Sequence, residues 1–224
     1  MSTNFIELTD RLTSPDTGIE PALWLPLLPL LHLLAQGEPV AIGDLAAVTG
    51  RTIREVSAAL AAVPDTEYDG DGRIIGQGLT LRPTPHRLEV AGEQLYTWCA
   101  LDTLIFPALL GTTARIESTC HATGVPVRLS VGASAVTDVE PATAVVSLVN
   151  PEDMSSVRSA FCNQVHFFAS VEAAQPWLDA HPGGSVVPGA EAHRIGTAMA
   201  GSLLDEILPA QPAAPGKGAH GCAC

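Results

Sequence analysis

The amino-acid sequence predicts an α+β protein that consists of a smaller, mainly helical region followed by a larger domain. Two kinds of pattern support this fold class: stretches with the apolar spacing of helices, and stretches in which apolar and polar residues alternate as in half-buried strands. The chain has 224 residues, of which 46% are hydrophobic and 16% charged. A chain of this size and composition buries a sizeable core and is not a disordered polyanion.

The first 83 residues are predicted to form a winged-helix-like region. Its expected elements are helices over residues 21–36, 42–48 and 52–63, a turn at 69–72, and strands over 73–75 and 79–82. Three helices followed by a hairpin is the outline of a winged helix, which usually binds DNA. The helix that would read DNA offers only Arg51 and Arg54, and Glu55 opposes them. We therefore expect this region to support the second domain rather than to bind DNA.

Pro83 and Pro85 mark the expected boundary, so the second domain is predicted over residues 84–208. Its expected elements are a strand over 86–90, a long helix over 93–110, strands over 114–119, 126–131 and 144–149, a helix over 151–161, a strand over 165–170, and helices over 171–180 and 191–208. Residues 209–224 are rich in proline, alanine and glycine, and are predicted to form a flexible tail that carries Cys222 and Cys224.

Charge and hydropathy exclude several classes of function. The chain holds 11 Lys and Arg against 24 Asp and Glu, a net charge of −13, which repels the phosphates of nucleic acid. The longest apolar run, residues 21–35, is interrupted by prolines and falls short of the about 20 apolar residues that cross a bilayer. The N-terminus lacks the basic start and apolar stretch of a secretory signal. We therefore expect a cytoplasmic protein with no nucleic-acid or membrane partner.

Five cysteines lie apart along the chain, and an odd number without a secretion signal is a poor basis for a disulfide framework. We expect reduced thiols that either pack or carry chemistry. One interpretation is a zinc site, although no C-x-x-C pair supports it; its ligands would come from Cys99, Cys120, His121, Cys162 and His166. Another interpretation is a cysteine hydrolase in which Cys99 is paired with His121 or His166.

Cys99 and Asp102 lie three residues apart in the predicted helix over 93–110, so their side chains are expected on one helix face. An aspartate buried among apolar neighbours is desolvated, which raises its pKa and lets it hold a proton near neutral pH. The alternative is that Asp102 caps the helix or pairs with an arginine such as Arg115, and that Cys99 only fills space as a small buried apolar residue. Cys162 falls where a predicted helix gives way to a strand, a junction that often places a side chain in a cleft.

Three segments of the sequence closely resemble the alkylmercury (organomercurial) lyases: residues 95–111 around Cys99, residues 114–127, and residues 161–170. Shorter segments at 66–68, 74–76 and 78–82 are similar to the family as well, and the likeness extends from residue 21 to residue 177. The resemblance implies a winged-helix-like N-terminal region that does not act on DNA. This region would pack on a catalytic domain built around a mixed, mostly antiparallel sheet with flanking helices.

The same resemblance implies an activity and its residues. Members of this family cleave the carbon–mercury bond of organomercurials, which yields a hydrocarbon and Hg(II), and pass the Hg(II) to mercuric reductase. The family's catalytic residues fall on Cys99, Asp102 and Cys162, and its non-catalytic, structural cysteine falls on Cys120. No prosthetic cofactor is implied, and turnover is expected to need an excess of cytosolic thiol.

The residue types suit this chemistry because Hg(II) is a soft ion that prefers thiolate ligands. Our hypothesis at this level is that Cys99 gives its proton to Asp102 and binds mercury first. Cys162 then adds, and each thiolate makes the mercury-bound carbon more basic. Asp102 finally delivers its proton to that carbon as a general acid. Cys99 and Cys162 hold the Hg(II) product.

The tail contains a feature that the family resemblance does not cover. Cys222 and Cys224 lie one residue apart in a glycine-rich end, where they form a candidate second metal-binding pair that relays Hg(II) to a partner. Two other functions remain as alternatives. One is an Hg(II)-responsive winged-helix regulator, which the negative charge disfavours. The other is a passive mercury-binding protein, which has no need of Asp102 beside Cys99.

Overall fold

The computed structural model describes residues 27–63, 65–132, 135–150 and 156–207. Its helices are α1 (Leu27–Leu34), α2 (Ile42–Thr49), α3 (Ile53–Ala62), α4 (Ala100–Leu109), α5 (Val157–Ala160), α6 (Val171–Ala180) and α7 (Gly189–Ile207). Its strands are β1 (Glu67–Tyr68), β2 (Ile74–Gln77), β3 (Leu79–Thr80), β4 (His86–Val90), β5 (Glu93–Thr97), β6 (Ala114–Thr119), β7 (Pro126–Val131), β8 (Val136–Glu140), β9 (Val145–Leu148), β10 (Phe167–Phe168) and β11 (Ser185–Pro188). The α+β prediction is confirmed.

Helices α1–α3 and strands β1–β3 form the predicted winged-helix-like region. Gly50 ends α2 with a φ of 64°, a left-handed conformation that glycine adopts without strain. The side chain of Thr52 accepts a hydrogen bond from the Glu55 amide, and Glu55 accepts one from the Thr52 amide, so this capping box begins α3. The part of the predicted first helix before Leu27 lies outside the described residues. That this region does not bind DNA stays a prediction.

Strands β1–β8 form one antiparallel sheet in the order β1-β2-β3-β5-β4-β6-β7-β8. A second antiparallel sheet has the order β10-β9-β11. Because β3 pairs with β5, the large sheet continues across the predicted boundary at residue 83. The N-terminal region is therefore joined to the second domain by backbone hydrogen bonds as well as by side-chain packing.

The predicted helix over 93–110 is wrong in its first half. Residues 93–97 form β5, which pairs with β4 through a tight turn at Ala91 and Gly92, whose φ values are 52° and 91°. Positive φ at both turn residues matches the twist of a two-residue hairpin. Leu95 and Thr97 point into the protein and are fully buried, as strand alternation requires. Helix α4 begins only at Ala100.

Helix α4 is buried along most of its length, and α7 covers it. The contact is close at Gly196, where an added Cβ would lie 2.6 Å from the Cγ1 atom of Ile105. Strands β8 and β11 were not expected. The predicted helix over 151–161 is observed as α5, and residues 151–155 lie outside the described part of the chain. Within the described part, no helix is both long and apolar enough to cross a membrane.

Candidate active site

Cys99 occupies the N-cap position of α4, directly after β5. Its backbone is extended, with a φ of −143° and a ψ of 169°, and its amide donates a hydrogen bond to Oδ2 of Asp102 at 3.2 Å. The Thr97 hydroxyl donates to the Cys99 carbonyl at 2.8 Å. Asp102 is therefore held beside Cys99 by helix capping. The prediction that the two side chains are adjacent holds, although Cys99 lies before the helix rather than within it.

Cys162 lies beside Asp102, although it follows Asp102 by 60 residues in the sequence. It follows α5 and begins a short 3-10 turn over Cys162–Gln164. Directly after this turn, the carbonyl of Val165 accepts a hydrogen bond from the amide of Ala100 at 3.1 Å, which joins the turn to the start of α4. The Ser147 hydroxyl donates to the Gln164 carbonyl at 2.9 Å. These bonds place the Sγ atom of Cys162 4.0 Å from Oδ2 of Asp102.

Cys99, Asp102 and Cys162 thus form one cluster. Their two sulfur atoms and a carboxylate oxygen all lie within 4.8 Å of one another. In the described ranges, this is the one group of three or more metal-ligating side chains that converge in this way. Cys99 is 0% exposed and Cys162 is 3% exposed. The three predicted catalytic residues are therefore brought together at a site where both thiols are buried and Asp102 is partly buried.

Burial sets the protonation of this cluster. It raises the pKa of Asp102 to about 6, although hydrogen bonds from Cys99 act against this shift. Burial and the hydrogen bond to Cys162 raise the pKa of Cys99 well above the usual value of a thiol. The hydrogen bond from Cys99 lowers the pKa of Cys162, but burial and the nearby Asp102 outweigh it, so the net direction is also upward. Both thiols are therefore held in the protonated form more strongly than a thiol in water.

Of the two structural alternatives for Asp102, capping of the helix is observed, whereas pairing with Arg115 is wrong. Arg115 lies on β6, where its Nη1 atom is 3.4 Å from Oε1 of Glu89 and its side chain is 79% exposed. Asp102 instead accepts hydrogen bonds from the amide of Cys99 and from the thiol of Cys162. The carboxyl group therefore shares its surroundings with two thiols and has no ion pair with Arg115.

The zinc site with four ligands from Cys99, Cys120, His121, Cys162 and His166 is also contradicted. His121 and His166 stack on each other with ring centroids 3.9 Å apart, and neither joins the cluster of Cys99 and Cys162. Among the described residues, these two histidines are therefore not grouped with the two cysteines, as the hydrolase interpretation would require of one of them. Cys120 is buried elsewhere, and its sulfur accepts a hydrogen bond from the amide of Ala169 at 3.3 Å. This bond ties the end of β6 to the residue after β10, as expected of a structural cysteine.

Sequence reasoning missed Arg158, which packs on Trp98 beside Cys99, and its partner Glu67. The Cζ atom of Arg158, on α5, lies 4.6 Å from the ring centroid of Trp98, the residue before Cys99. The same arginine donates from Nη1 to Oε1 of Glu67 at 2.6 Å. Cys222 and Cys224 lie outside the described residues, so the second metal-binding pair stays a prediction.

Comparisons with known proteins identify relatives of both regions of the chain. The family model for alkylmercury lyase matches residues 79–201, and the model for the helix-turn-helix domain of alkylmercury lyase matches residues 5–78. The chain is 55% identical over 208 residues to the alkylmercury lyase of Streptomyces lividans, with 91% of this chain and 95% of the relative covered. It is 51% identical over 213 residues to the alkylmercury lyase of Bacillus cereus, with 94% and 97% covered.

A solved structure shares the fold. The mercury-bound form of MerB2 matches with a TM-score of 0.73 at 24% sequence identity, and the match covers 90% of this chain and 100% of that one. At this level of identity the likeness concerns the fold alone. The two family models and the sequence relatives together span both regions of the chain, and the chain belongs to the alkylmercury lyase family.

Proposed function

We propose that this chain cleaves the carbon–mercury bond of organomercurials by protonolysis, with Cys99 and Cys162 as mercury ligands and Asp102 as the proton donor. Cleavage of this bond in mercury resistance is the activity of the family to which the chain belongs. The observation that carries the residue assignment is the convergence of two thiols and one carboxyl group within 4.8 Å.

The three groups suit an organomercurial substrate. Thiolates are the ligands that a soft metal ion prefers, and two of them can bind one mercury atom from two sides. A carboxyl group whose pKa is raised to about 6 is ionised at neutral pH and gains a proton with little cost in free energy. A passive mercury-binding protein would need the thiols but not the carboxyl group.

The cluster supports the order of events that the sequence suggested. Asp102 is ionised at neutral pH and lies beside both thiols, so Cys99 gives its proton to Asp102 and binds the mercury of R–Hg–X while X leaves. Cys162 then adds to the mercury, and its proton leaves with X. Asp102 donates the proton from Cys99 to the carbon, and the electron pair of the breaking carbon–mercury bond forms the new carbon–hydrogen bond. The net reaction converts R–Hg–X and two thiols into RH, HX and Hg(II) bound by two thiolates.

The fate of the product follows from the same ligands. We propose that Hg(II) stays between Cys99 and Cys162 until small thiols of the cytoplasm, or mercuric reductase, remove it. No prosthetic group is needed in this scheme, because the thiols and the carboxyl group supply every ligand and proton. Relay of the product by Cys222 and Cys224 stays a prediction from the sequence.

The proposal is tested by incubating the protein with phenylmercury in excess thiol and measuring benzene by gas chromatography. The wild-type protein is expected to release benzene catalytically. Cys99→Ser and Cys162→Ser are each expected to release none above background, because a hydroxyl group is a hard ligand that hardly ionises.

Cys120→Ser is the matched control, since it removes a buried thiol that lies outside the cluster. Its benzene release, normalised to the folded fraction measured by circular dichroism, is expected to equal that of the wild type. The proposal is contradicted if the wild type releases no benzene, or if either of the two cluster variants releases it at the wild-type rate.

A further inference from the structure

The segment that leads into Cys162 is hydrogen-bonded to two acidic residues of the N-terminal region, Asp65 and Glu67. Helix α5, which leads into Cys162, has only four residues, and a helix of one turn is not stable by itself in water. Its position must therefore come from contacts with other elements. Val157 packs against the hydrophobic core, and the described polar contacts of α5 with the N-terminal region are those of Ser156, at its N-cap, and Arg158, within it.

Both contacts reach the same short stretch of chain. The Ser156 hydroxyl donates a hydrogen bond to Oδ2 of Asp65 at 2.6 Å and accepts one from the amide of Ser159 at 3.1 Å. Arg158 forms its ion pair with Glu67 on β1. Asp65 and Glu67 thus hold the start and the middle of α5, although 91 residues separate each pair in sequence.

Glu67 is built into the structure in a way that a surface carboxylate is not. Its side chain is 7% exposed, and its two oxygens have different partners: Oε1 accepts from Arg158, and Oε2 accepts from the hydroxyl of Thr80. Gly76 faces it across the β1–β2 pair, and an added Cβ at Gly76 would lie 2.2 Å from Oε2. The absence of a side chain at residue 76 therefore makes the room in which the carboxylate lies.

Arg158 connects this carboxylate to the active site. Its guanidinium group lies over the ring of Trp98, the residue next to Cys99, and α5 ends two residues before Cys162. Arg158 belongs to the segment before Cys162 and contacts both Glu67 of the N-terminal region and Trp98, the residue before Cys99. A planar guanidinium group suits this task, since it can pair with a carboxylate at its edge and stack on an aromatic ring with its face.

We propose that Glu67 is a positioning residue for carbon–mercury cleavage, which acts through Arg158 to fix Cys162 at its distance from Cys99 and Asp102. This inference rests on the proposed function of that cluster. It also gives the winged-helix-like region a role in this chain that does not involve DNA: its first strand supplies the anchor for one of the two mercury ligands.

The test begins with Glu67→Gln, which keeps the shape of the side chain and a partner for Thr80 but removes the negative charge. We expect kcat for benzene release to fall by about 10- to 100-fold, because a small displacement of a reacting group is enough to cause such a loss. We also expect a small dithiol such as dithiothreitol to remove Hg(II) from this variant at a lower concentration than from the wild type. A purely structural role would lower the melting temperature without changing either property of the folded protein.

A double-mutant cycle with Arg158→Gln shows whether Glu67 acts through the arginine. We expect Glu67→Gln to have little further effect on kcat once Arg158 is replaced. The matched control is Glu89→Gln, which breaks the exposed ion pair with Arg115 and is expected to leave kcat unchanged. If Glu67→Gln does not fold, Arg158→Gln alone breaks the same ion pair from its one-third exposed side and is expected to show the same loss.

The outcomes separate this inference from the proposed function. Benzene release by the wild type together with a wild-type kcat in Glu67→Gln or in Arg158→Gln would overturn the inference only. A full effect of Glu67→Gln in the Arg158→Gln background would overturn it as well, since the effect would then not pass through Arg158. Failure of the wild type to release benzene would instead refute the proposed function.

Discussion

Two carboxyl groups in the described part of the protein have opposite surroundings: Glu67, which is buried, and Asp102, which is partly buried. Glu67, in the N-terminal region, accepts hydrogen bonds from a guanidinium group and a hydroxyl group. Asp102, at the start of α4, accepts from a backbone amide at 3.2 Å and from a thiol at 4.0 Å. Glu67 thus has a cation as a partner, whereas Asp102 lies beside two thiols that become negative when they ionise.

This difference corresponds to two tasks. A buried carboxylate that is paired with a cation can hold its partner in one place, which is the task that we propose for Glu67. The pKa of Asp102 is raised to about 6, so this carboxyl group can gain and lose a proton near neutral pH, as a proton donor must. In our proposals, the N-terminal region therefore positions a mercury ligand, and the start of α4 supplies the proton.

The largest expected effect comes from Asp102→Asn, which keeps the shape of the side chain but cannot transfer a proton. We expect kcat for benzene release to fall by about 10²- to 10⁴-fold, the range typical of a lost general acid. Binding of phenylmercury, measured by loss of reactive thiols, is expected to remain. Normal turnover by this variant would show that the proton comes from another group.

A smaller effect is expected in the pH dependence of stability. The pKa of Asp102 is raised from 3.8 to about 6, so in this range the folded protein binds more protons than the unfolded chain. Its contribution to the free energy of unfolding is therefore greatest below pH 3.8 and decreases as the pH rises through 6, by at most about 3 kcal/mol. Asp102→Asn should be more stable than the wild type at pH 7 and should approach it at pH 4.

Urea unfolding followed by circular dichroism at both pH values measures this difference. The comparison needs the variant because His86 acts in the opposite direction: burial lowers its pKa to about 3, so the stability that it contributes is lost as the pH falls below 6.5. Since His86 is present in both proteins, it cancels in the difference. Equal differences at pH 4 and pH 7 would contradict the raised pKa of Asp102.

The smallest effect is expected when Glu67 keeps its cation but loses its second partner. Thr80→Val removes a buried hydroxyl that donates to Glu67 and accepts from the amide of Arg82 at 3.0 Å. The cost of leaving such groups unpaired is about 1–3 kcal/mol of unfolding free energy. Because the ion pair with Arg158 remains, kcat per folded molecule should stay close to that of the wild type. Urea unfolding and the benzene assay measure the two quantities.

Glu117→Gln provides the matched control for this last variant. It breaks an ion pair with Arg128 whose two side chains are about half-exposed, and exposed pairs contribute no more than about 1 kcal/mol. A loss of stability as large as that of Thr80→Val would mean that burial does not set the cost. A large fall in kcat in Thr80→Val would mean that its hydroxyl also positions the site.

Much of the site could be predicted from the sequence, but for reasons that the structure changes. The three-residue spacing of Cys99 and Asp102 indicated adjacent side chains. They are adjacent because Cys99 occupies the N-cap of α4 and its amide donates a hydrogen bond to Asp102. Periodicity could not separate β5 from α4, since the apolar residues of one continue into those of the other. The turn at Ala91 and Gly92 was the local signal that β4 ends there and that the second strand of a hairpin, β5, follows.

Other features could not be predicted because they arise only when distant segments meet. The pairing of Glu67 with Arg158 joins residues 91 positions apart, and a sequence with many acidic residues offers no reason to select this one. Strand β8 is mostly exposed at the edge of the large sheet, so it lacks the alternation that reveals a half-buried strand. Local sequence patterns predict elements in which buried and exposed residues follow each other at a regular spacing. A contact between distant residues and a mostly exposed edge strand leave no such pattern.

The hydrogen bond from the Cys99 amide to Asp102 has a consequence for observing the reaction. The same carboxyl group that begins the helix is proposed to carry the proton, so each change in its charge alters the acceptor of one backbone N–H group. In protein labelled with ¹⁵N at Cys99, the nitrogen and proton chemical shifts of this amide would then distinguish the protonated from the charged state of Asp102 during turnover.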